Sequence, residues 1–232
     1  EQVIRTSGRK IELMFEYAST KTLRNMVTLG YRALHFSGHG SPDSLAFEDD
    51  RGGLHVVPVR QLKSLCAAGK KGVRFVFVSA CFSQSAGEAF VKAGIPHVVC
   101  VSLNADLLDK AAQTFTHAFY LSLAVGDTVQ DAFTIGVEAV KAAPRIADPI
   151  HEGNKFVLLP KDGNHDESIF QHAPTRVPKK SSLSRGRSAK QLTRTNSGSF
   201  GEMKMLPNVP DNFIGRNVDL YIVMGYVKER RI

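Results

Sequence analysis

Short hydrophobic runs alternate along this chain with longer amphipathic stretches. The short runs are rich in β-branched and aromatic residues, which is typical of strands that are buried on both faces. They predict strands at residues 11–17, 31–36, 45–47, 53–57, 73–79, 97–101 and 155–159. Because helical stretches separate most of these runs, the pattern predicts an α/β fold with a mostly parallel sheet flanked by helices on both faces.

Apolar residues at helical spacing, with serine, threonine and glycine at the ends, predict the helices between the strands. These helices span residues 20–28, 59–68, 83–93, 105–124 and 128–140. The periodicity disappears from about Asp162. We therefore divide the chain into a folded body of residues 10–160, an exit segment of residues 161–174, a serine-rich basic linker of residues 175–205 that we expect to be disordered, and a final segment of residues 206–232.

Charge is distributed unevenly along the 232 residues. Eight basic residues and a single acid lie within residues 175–205, so this linker carries +7 of the net charge of +8. The folded body is therefore close to neutral, which argues against nucleic acid as its partner. A nucleic-acid-binding linker remains a weaker alternative.

No apolar run is long enough to span a membrane, so no membrane partner is expected. The chain begins with Glu1, which suggests a piece of a longer protein.

The three cysteines, Cys66, Cys81 and Cys100, are too few for a disulfide framework and lack the spacing of metal ligands. A reducing compartment, the cytoplasm or the nucleus, is the expected location, and the cytoplasm is preferred. Cys66 and Cys100 lie among apolar neighbours and are expected to be core residues. No histidine pair has metal-ligand spacing either, so neither a metal nor a cofactor is expected. His165, on the exit segment, is expected to be solvated.

Two predicted strands are each followed by a reactive side chain. His39 follows the strand at residues 31–36, and Cys81 follows the strand at residues 73–79. The carboxyl ends of parallel strands share one edge of a sheet, where ligands and chemistry collect. If the two strands are neighbours, a histidine and a cysteine meet at that edge. These two side chains are the smallest catalytic set that a cysteine hydrolase needs.

The residues around this pair suit that chemistry. Gly38 and Gly40 allow a sharp turn and a close approach to a substrate. A helix is predicted to begin just after Cys81, so its first free N–H groups should favour a thiolate there. The backbone N–H groups of Gly40 and Cys81 are then candidate oxyanion donors. A nucleophile elbow of the G-x-C-x-G type is excluded, because Ser79 and Ser83 stand where the glycines would be.

The segments Ser37–Gly40 and Ser79–Ser83 together resemble the CHAT family, caspase-like peptidases related to separase. The resemblance extends over about residues 10–159 and includes the run Phe119-Tyr120 to Gly126, which is similar to a helix of that family. It implies a caspase–hemoglobinase-like fold, hydrolysis of peptide bonds, and His39 and Cys81 as the catalytic dyad. A protein or peptide is the implied substrate.

The chain departs from the family pattern at two positions. Gln84 stands where a glycine commonly follows the cysteine segment, and Asn104 stands where a tryptophan is usual. The second departure falls where the family shapes its substrate pocket. In separase-like relatives an acidic residue in this region pairs with a basic side chain of the substrate. That resemblance implies Asp109, or else Asp106, as a substrate-binding residue and cleavage after Arg or Lys. Routine capping of a helix is the alternative role for either aspartate.

Asn212–Leu220 resembles the segment that precedes NB-ARC and related STAND ATPase domains. No Walker A loop follows within this chain. The resemblance implies a multidomain signalling protein in which a downstream ATPase domain is the partner of the peptidase-like domain. The alternative function is a catalytically silent CHAT-like interaction module in an NLR-like signalling protein.

Overall fold

A computed structural model describes residues 11–67 and 72–170, together with Ile4, Ser7 and Arg9. Helices and strands alternate along most of this length. In chain order the elements are α1 (Thr20–Leu29), β1 (Ala33–Ser37), β2 (Gly40–Ser41), β3 (Ser44–Glu48), β4 (Leu54–Pro58), α2 (Val59–Ala67), β5 (Phe75–Ser79), α3 (Gln84–Lys92), β6 (His97–Val101), α4 (Asp109–Val125), α5 (Val129–Lys141), α6 (Pro149–Gly153) and β7 (Phe156–Leu159).

The main sheet has the strand order β1-β5-β6-β7 among the described residues. β1, β5 and β6 run parallel, and β7 is an antiparallel edge strand. A second, smaller sheet has the order β2-β3-β4 and is antiparallel throughout. The predicted α/β architecture, with a mostly parallel sheet flanked by helices, is confirmed.

Successive residues of the central strands point into two separate hydrophobic cores, as the two-residue period of a strand requires. Leu34 and Val76 lie in the first core, which α1, α2 and α3 cover. Phe75 and Phe77 lie in the second core, which α4 and α5 cover. Among the described residues, helices therefore shield both faces of the sheet and leave its edges for binding and chemistry.

Two predicted elements differ from the structure. Residues 11–18 form no strand, and their backbone meets the small sheet at its border, where Glu48 donates its N–H to the Ala18 carbonyl. Phe15 and Tyr17 are exposed, so the apolar run that suggests a strand does not reach the core along its length. The helix predicted from Ala105 begins only at Asp109. The residues before it, 102–108, form an irregular segment that we call the site loop.

The exit segment is packed against the body as far as it is described. Ile169 and Phe170 are buried in the second core. His165 is buried too, so the expectation that it is solvated is wrong. Its Nδ1 lies 2.8 Å from Nδ1 of His97, and its Nε2 lies 2.9 Å from the Pro160 carbonyl oxygen. The apolar residues Ile169 and Phe170 tie this stretch to the core although it lacks helical or strand periodicity.

The basic linker and the segment that resembles an ATPase lead-in lie outside the described residues. The boundaries proposed for them stay predictions. Within the described ranges, no helix combines the length and apolarity that crossing a membrane requires.

Candidate active site

The carboxyl ends of β1 and β5 lie side by side. The two strands pair in parallel, and their last residues, Ser37 and Ser79, are directly opposite each other. The pairing continues one step further, because Gly38 donates its N–H to the Ser79 carbonyl at 3.2 Å. His39 and Cys81 each follow two residues after the paired ends. The fold therefore brings the two turns that carry them to the same edge of the sheet, as predicted.

Gly40 packs directly against the Cys81 segment. A Cβ atom added at Gly40 would lie 2.6 Å from the Cys81 carbonyl oxygen and 3.2 Å from Cβ of Ala80. The first of these separations is far below van der Waals contact, so any larger residue would have to push the backbone aside. The glycine at position 40 is therefore required by the close approach of two backbone segments.

Pairing between β2 and β3 leaves the N–H of Gly40 unused. Ala46 donates its N–H to the His39 carbonyl at 3.0 Å, and Gly40 is opposite Leu45. This pattern makes Gly40 and Leu45 a non-hydrogen-bonded pair, in which each N–H points away from the partner strand. The Gly40 N–H is thus available to an acceptor on the side that faces away from β3.

The backbone around Cys81 is held in an uncommon conformation. Phe82 has a φ of 52°, in the left-handed region, which costs a non-glycine residue about 1–2 kcal/mol. Its N–H donates to the Ala105 carbonyl at 3.2 Å, so the site loop holds this strained residue in place. Within the described part of the chain, the Cys81 N–H has no acceptor. It is the second candidate oxyanion donor.

Beside the candidate nucleophile, the Ser83 side chain lies between β5 and β6 where these two strands separate. β5 and β6 pair only as far as Phe77 and Val99. Beyond that point the buried Ser83 hydroxyl donates to the Val78 carbonyl and accepts the Val101 N–H, both at 3.0 Å. The side chain thus bridges two diverging strands and makes no capping bond to α3. This divergence leaves room for the site loop above the sheet edge.

The donor to the Cys81 sulfur comes from the site loop. Cys81 is half-buried, and Leu107 donates its N–H to Sγ at 3.2 Å. This bond holds the sulfur against the site loop. The sequence predicted such donors from the start of α3, whereas the only hydrogen bond that the described residues make to this sulfur is that of Leu107.

The other two thiols are unsuited to chemistry. Cys66 and Cys100 are buried, and burial raises the pKa of each to about 12. A thiol with so high a pKa is almost entirely protonated at neutral pH and is a poor nucleophile. The prediction that both are core residues is confirmed, and Cys81 is the one cysteine of the three that solvent can reach.

His39 is exposed at the edge of the site. Its backbone is fixed by the bond from Ala46, but no direct hydrogen bond joins its imidazole to Cys81 Sγ, two groups that both belong to the described residues. Catalytic hydrogen bonds are often long in enzymes without substrate and tighten on binding.

The two candidate substrate-binding aspartates lie on either side of Leu107. Asp106 is exposed on the site loop, and its carbonyl accepts a hydrogen bond from Lys155 Nζ at 3.0 Å. Asp109 is exposed at the first position of α4. Asp106 is therefore adjacent in sequence to the residue that contacts the sulfur, whereas Asp109 is also placed to interact with its helix dipole.

Sequence reasoning placed a substrate pocket in this region but missed the irregular backbone of the site loop and its supports. Residues 105–108 of the loop are predicted as helix, because Ala105 and the residues after it have an apolar spacing that continues into α4. Leu107 acts through its backbone, so its side chain carries no signal. Within the described ranges, no group of histidine, cysteine or acidic residues has the arrangement of a metal site.

A comparison with family models identifies the domain. The model of the CHAT domain matches residues 2–151, well over half of the chain. The chain belongs to the CHAT family. CHAT domains fall in the caspase-like peptidase clan, so this is a peptidase-related domain. The match includes β1, β5 and the site loop of the CHAT domain but ends before β7. No curated protein matches the chain.

Proposed function

We propose that this CHAT domain is a cysteine endopeptidase in which Cys81 is the nucleophile and His39 is its general base or imidazolium partner. The observation that carries the proposal is the register of β1 and β5. It sets the two turns at one sheet edge, with Gly40 against the Cys81 backbone. Leu107 supplies a donor to the sulfur, and the other two thiols are buried.

The proposed reaction follows from these positions. Cys81 gives its thiol proton to His39, Sγ attacks the scissile carbonyl carbon, and the N–H groups of Gly40 and Cys81 donate to the oxyanion that forms. His39 then protonates the leaving amine as the C–N bond breaks, which leaves a thioester on Cys81. Water, deprotonated by His39, hydrolyses the thioester, so that a carboxylic acid leaves and the thiol–imidazole pair is restored.

We further propose that the site loop recognises a basic residue at the cleaved position, P1. Asp106 and Asp109 are both exposed and lie within three residues of each other on either side of the Leu107 contact to sulfur. A carboxylate bonds Arg and Lys by charge-assisted hydrogen bonds. Asp106 is the neighbour of the sulfur-binding residue, and Asp109 is the better match to the family position.

A panel of fluorogenic peptides that differ only at P1 tests both proposals. We expect the wild-type chain to cleave P1 Arg and Lys peptides in preference to P1 Asp and Leu peptides. Cys81→Ala should abolish cleavage, and His39→Ala should lower kcat/KM by about a hundredfold or more. His55→Ala is the matched control, because His55 is also exposed but lies on β4, and it should be without effect.

Different outcomes of this panel contradict different proposals. Equal cleavage of all P1 residues, or unchanged preference in Asp106→Asn and Asp109→Asn, would contradict the acidic pocket only. Cleavage that survives Cys81→Ala would contradict the dyad. No cleavage of any peptide by the wild-type chain would favour the silent interaction module.

We also propose that an ATPase domain lies downstream in the parent protein. The similarity of Asn212–Leu220 to the NB-ARC lead-in supports this proposal, and it is a sequence argument alone. Such a domain would join the peptidase-like domain to nucleotide-dependent signalling.

A further inference from the structure

An ion pair beside the site loop has no role in the chemistry described so far. Glu152, on α6, and Lys155, just before β7, form a salt bridge with 2.5 Å between Oε1 and Nζ. The side chains are only 6% and 11% exposed, so Glu152 is buried and Lys155 is largely buried. Oε2 of Glu152 is also buried and has no hydrogen-bond partner within the described part of the chain. Among the described residues, Lys155 is therefore the one hydrogen-bond partner of the Glu152 carboxylate.

A buried ion pair is poor at stabilising a fold, because the cost of removing two charges from water offsets most of their attraction. Stability alone is thus a weak explanation for this pair. Its geometry offers another, since the Lys155 ammonium makes a second hydrogen bond, to the Asp106 carbonyl at 3.0 Å. The Lys155 carbonyl also accepts the N–H of Ser102 at 2.9 Å.

Lys155 thus holds the site loop at two points, its beginning and its middle. The next residue after Asp106 is Leu107, whose N–H donates to Cys81 Sγ. The residue before Asp106 is Ala105, whose carbonyl holds the strained Phe82. Both contacts of the loop to the nucleophile segment therefore flank the carbonyl that Lys155 binds.

We propose that Lys155, oriented by Glu152, is a positioning residue that fixes the site loop so that Leu107 can donate to the Cys81 sulfur. We call the two residues the Glu152–Lys155 clamp. The role of the clamp in catalysis rests on the proposed function. What the clamp itself is expected to change is the reactivity of the Cys81 thiol. That reactivity is measurable whether or not the chain cleaves peptides.

The test is the rate at which iodoacetamide alkylates Cys81 at neutral pH, followed by mass spectrometry. Cys66 and Cys100 are buried and serve as internal references. Lys155→Met keeps the alkyl stem and removes the ammonium. We expect it to slow alkylation of Cys81 about threefold to tenfold, because the loop then no longer holds the Leu107 N–H against the reacting sulfur. Lys155→Arg, which can make both bonds, should restore most of the rate.

Lys155→Met also leaves Glu152 unpaired and should destabilise the fold, so a second variant separates the two effects. The double variant Glu152→Leu/Lys155→Met removes both charges and should recover stability against urea. If the clamp positions the loop, alkylation stays slow in the double variant. Recovery of both stability and rate would show a merely structural pair and overturn the proposal.

Glu138 and Lys141 on α5 provide the matched control, since they form an ion pair with the same spacing at 3.0 Å. Lys141→Met should leave the alkylation rate unchanged.

A rate in Lys155→Met equal to or above that of the wild type would also overturn the clamp. If the clamp results hold but no peptide is cleaved, the peptidase proposal fails alone. If peptides are cleaved equally by the wild type and Lys155→Met, the clamp fails alone.

Discussion

Single residues at the sheet edge show how little space separates the groups of the candidate site. Gly40 lies so close to the Cys81 carbonyl that one additional carbon does not fit. The same glycine carries an N–H that the small sheet leaves free. One residue therefore combines a steric requirement with a proposed electrostatic role, which makes it a sensitive place to test the site.

Gly40→Ala should displace the turn that carries His39 from the Cys81 segment. We expect kcat/KM to fall at least tenfold, with a loss of about 1–3 kcal/mol in the free energy of unfolding from overpacking. Peptide cleavage and urea denaturation measure the two effects. Gly52→Ala is the control, because it adds backbone strain at a φ of 84° in open space, away from Cys81. Equal activity in both variants would contradict the proposed role of Gly40.

At the scale of elements, strands could be predicted from the sequence better than the connections between them. The strand 97–101 was predicted with the observed bounds, because four of its five residues are apolar, three of them valine, and the run lies between Pro96 and Ser102. The edge strand β7 and the hairpin of β3 and β4 were also anticipated. The strand predicted at residues 11–17 is absent from the structure. An apolar run indicates burial or strand pairing, but it does not show which of its residues reach the core.

In the candidate site, too, some parts could be predicted from the sequence and others could not. His39 and Cys81 could be predicted, because reactive side chains at the ends of buried strands are visible in the sequence. The site loop could not, since its contacts are made by the backbone of Ala105 and Leu107. Nor could Ser83 be distinguished from a helix cap, because a serine before a helix suits both roles. Which role applies depends on tertiary neighbours that the sequence does not reveal.

At the scale of the whole molecule, the two ends of the sheet have different chemistry. The candidate active site is at the carboxyl ends of β1 and β5. Beside the amino ends lies a cavity of about 530 Å³ lined partly by Arg32, Arg74, His97 and Glu167. Glu167 bonds both Arg74, through two oxygens, and His97 at 3.1 Å. This ion-pair network ties the exit segment to the strands, so it is expected to stabilise the fold away from the chemistry.

Acid should weaken this network. The hydrogen bonds from Arg74 lower the pKa of Glu167 to about 2, against an ordinary value of 4.5. A depressed pKa contributes stability that is present above the ordinary value and is lost as the pH falls towards the folded value. Glu167→Gln should therefore lower the free energy of unfolding by about 1–3 kcal/mol at pH 7. The difference from the wild type should shrink between pH 4.5 and 2.

Urea denaturation at several pH values checks this expectation. Glu138→Gln is the control, because Glu138 forms an exposed ion pair that should contribute less than about 1 kcal/mol. A difference between wild type and Glu167→Gln that stays constant from pH 7 to pH 3 would show that the carboxylate charge contributes nothing to the network.

The central claim is that His39 activates Cys81 in a site that a peptide can enter. Labelling with an electrophilic peptide probe, with the modified residue identified by mass spectrometry, tests it most directly. We predict that the probe attaches to Cys81 in the wild-type chain and in His55→Ala, and that His39→Ala slows this labelling strongly. Labelling of Cys81 at the same rate in His39→Ala, or no labelling of Cys81 at all, would contradict the account.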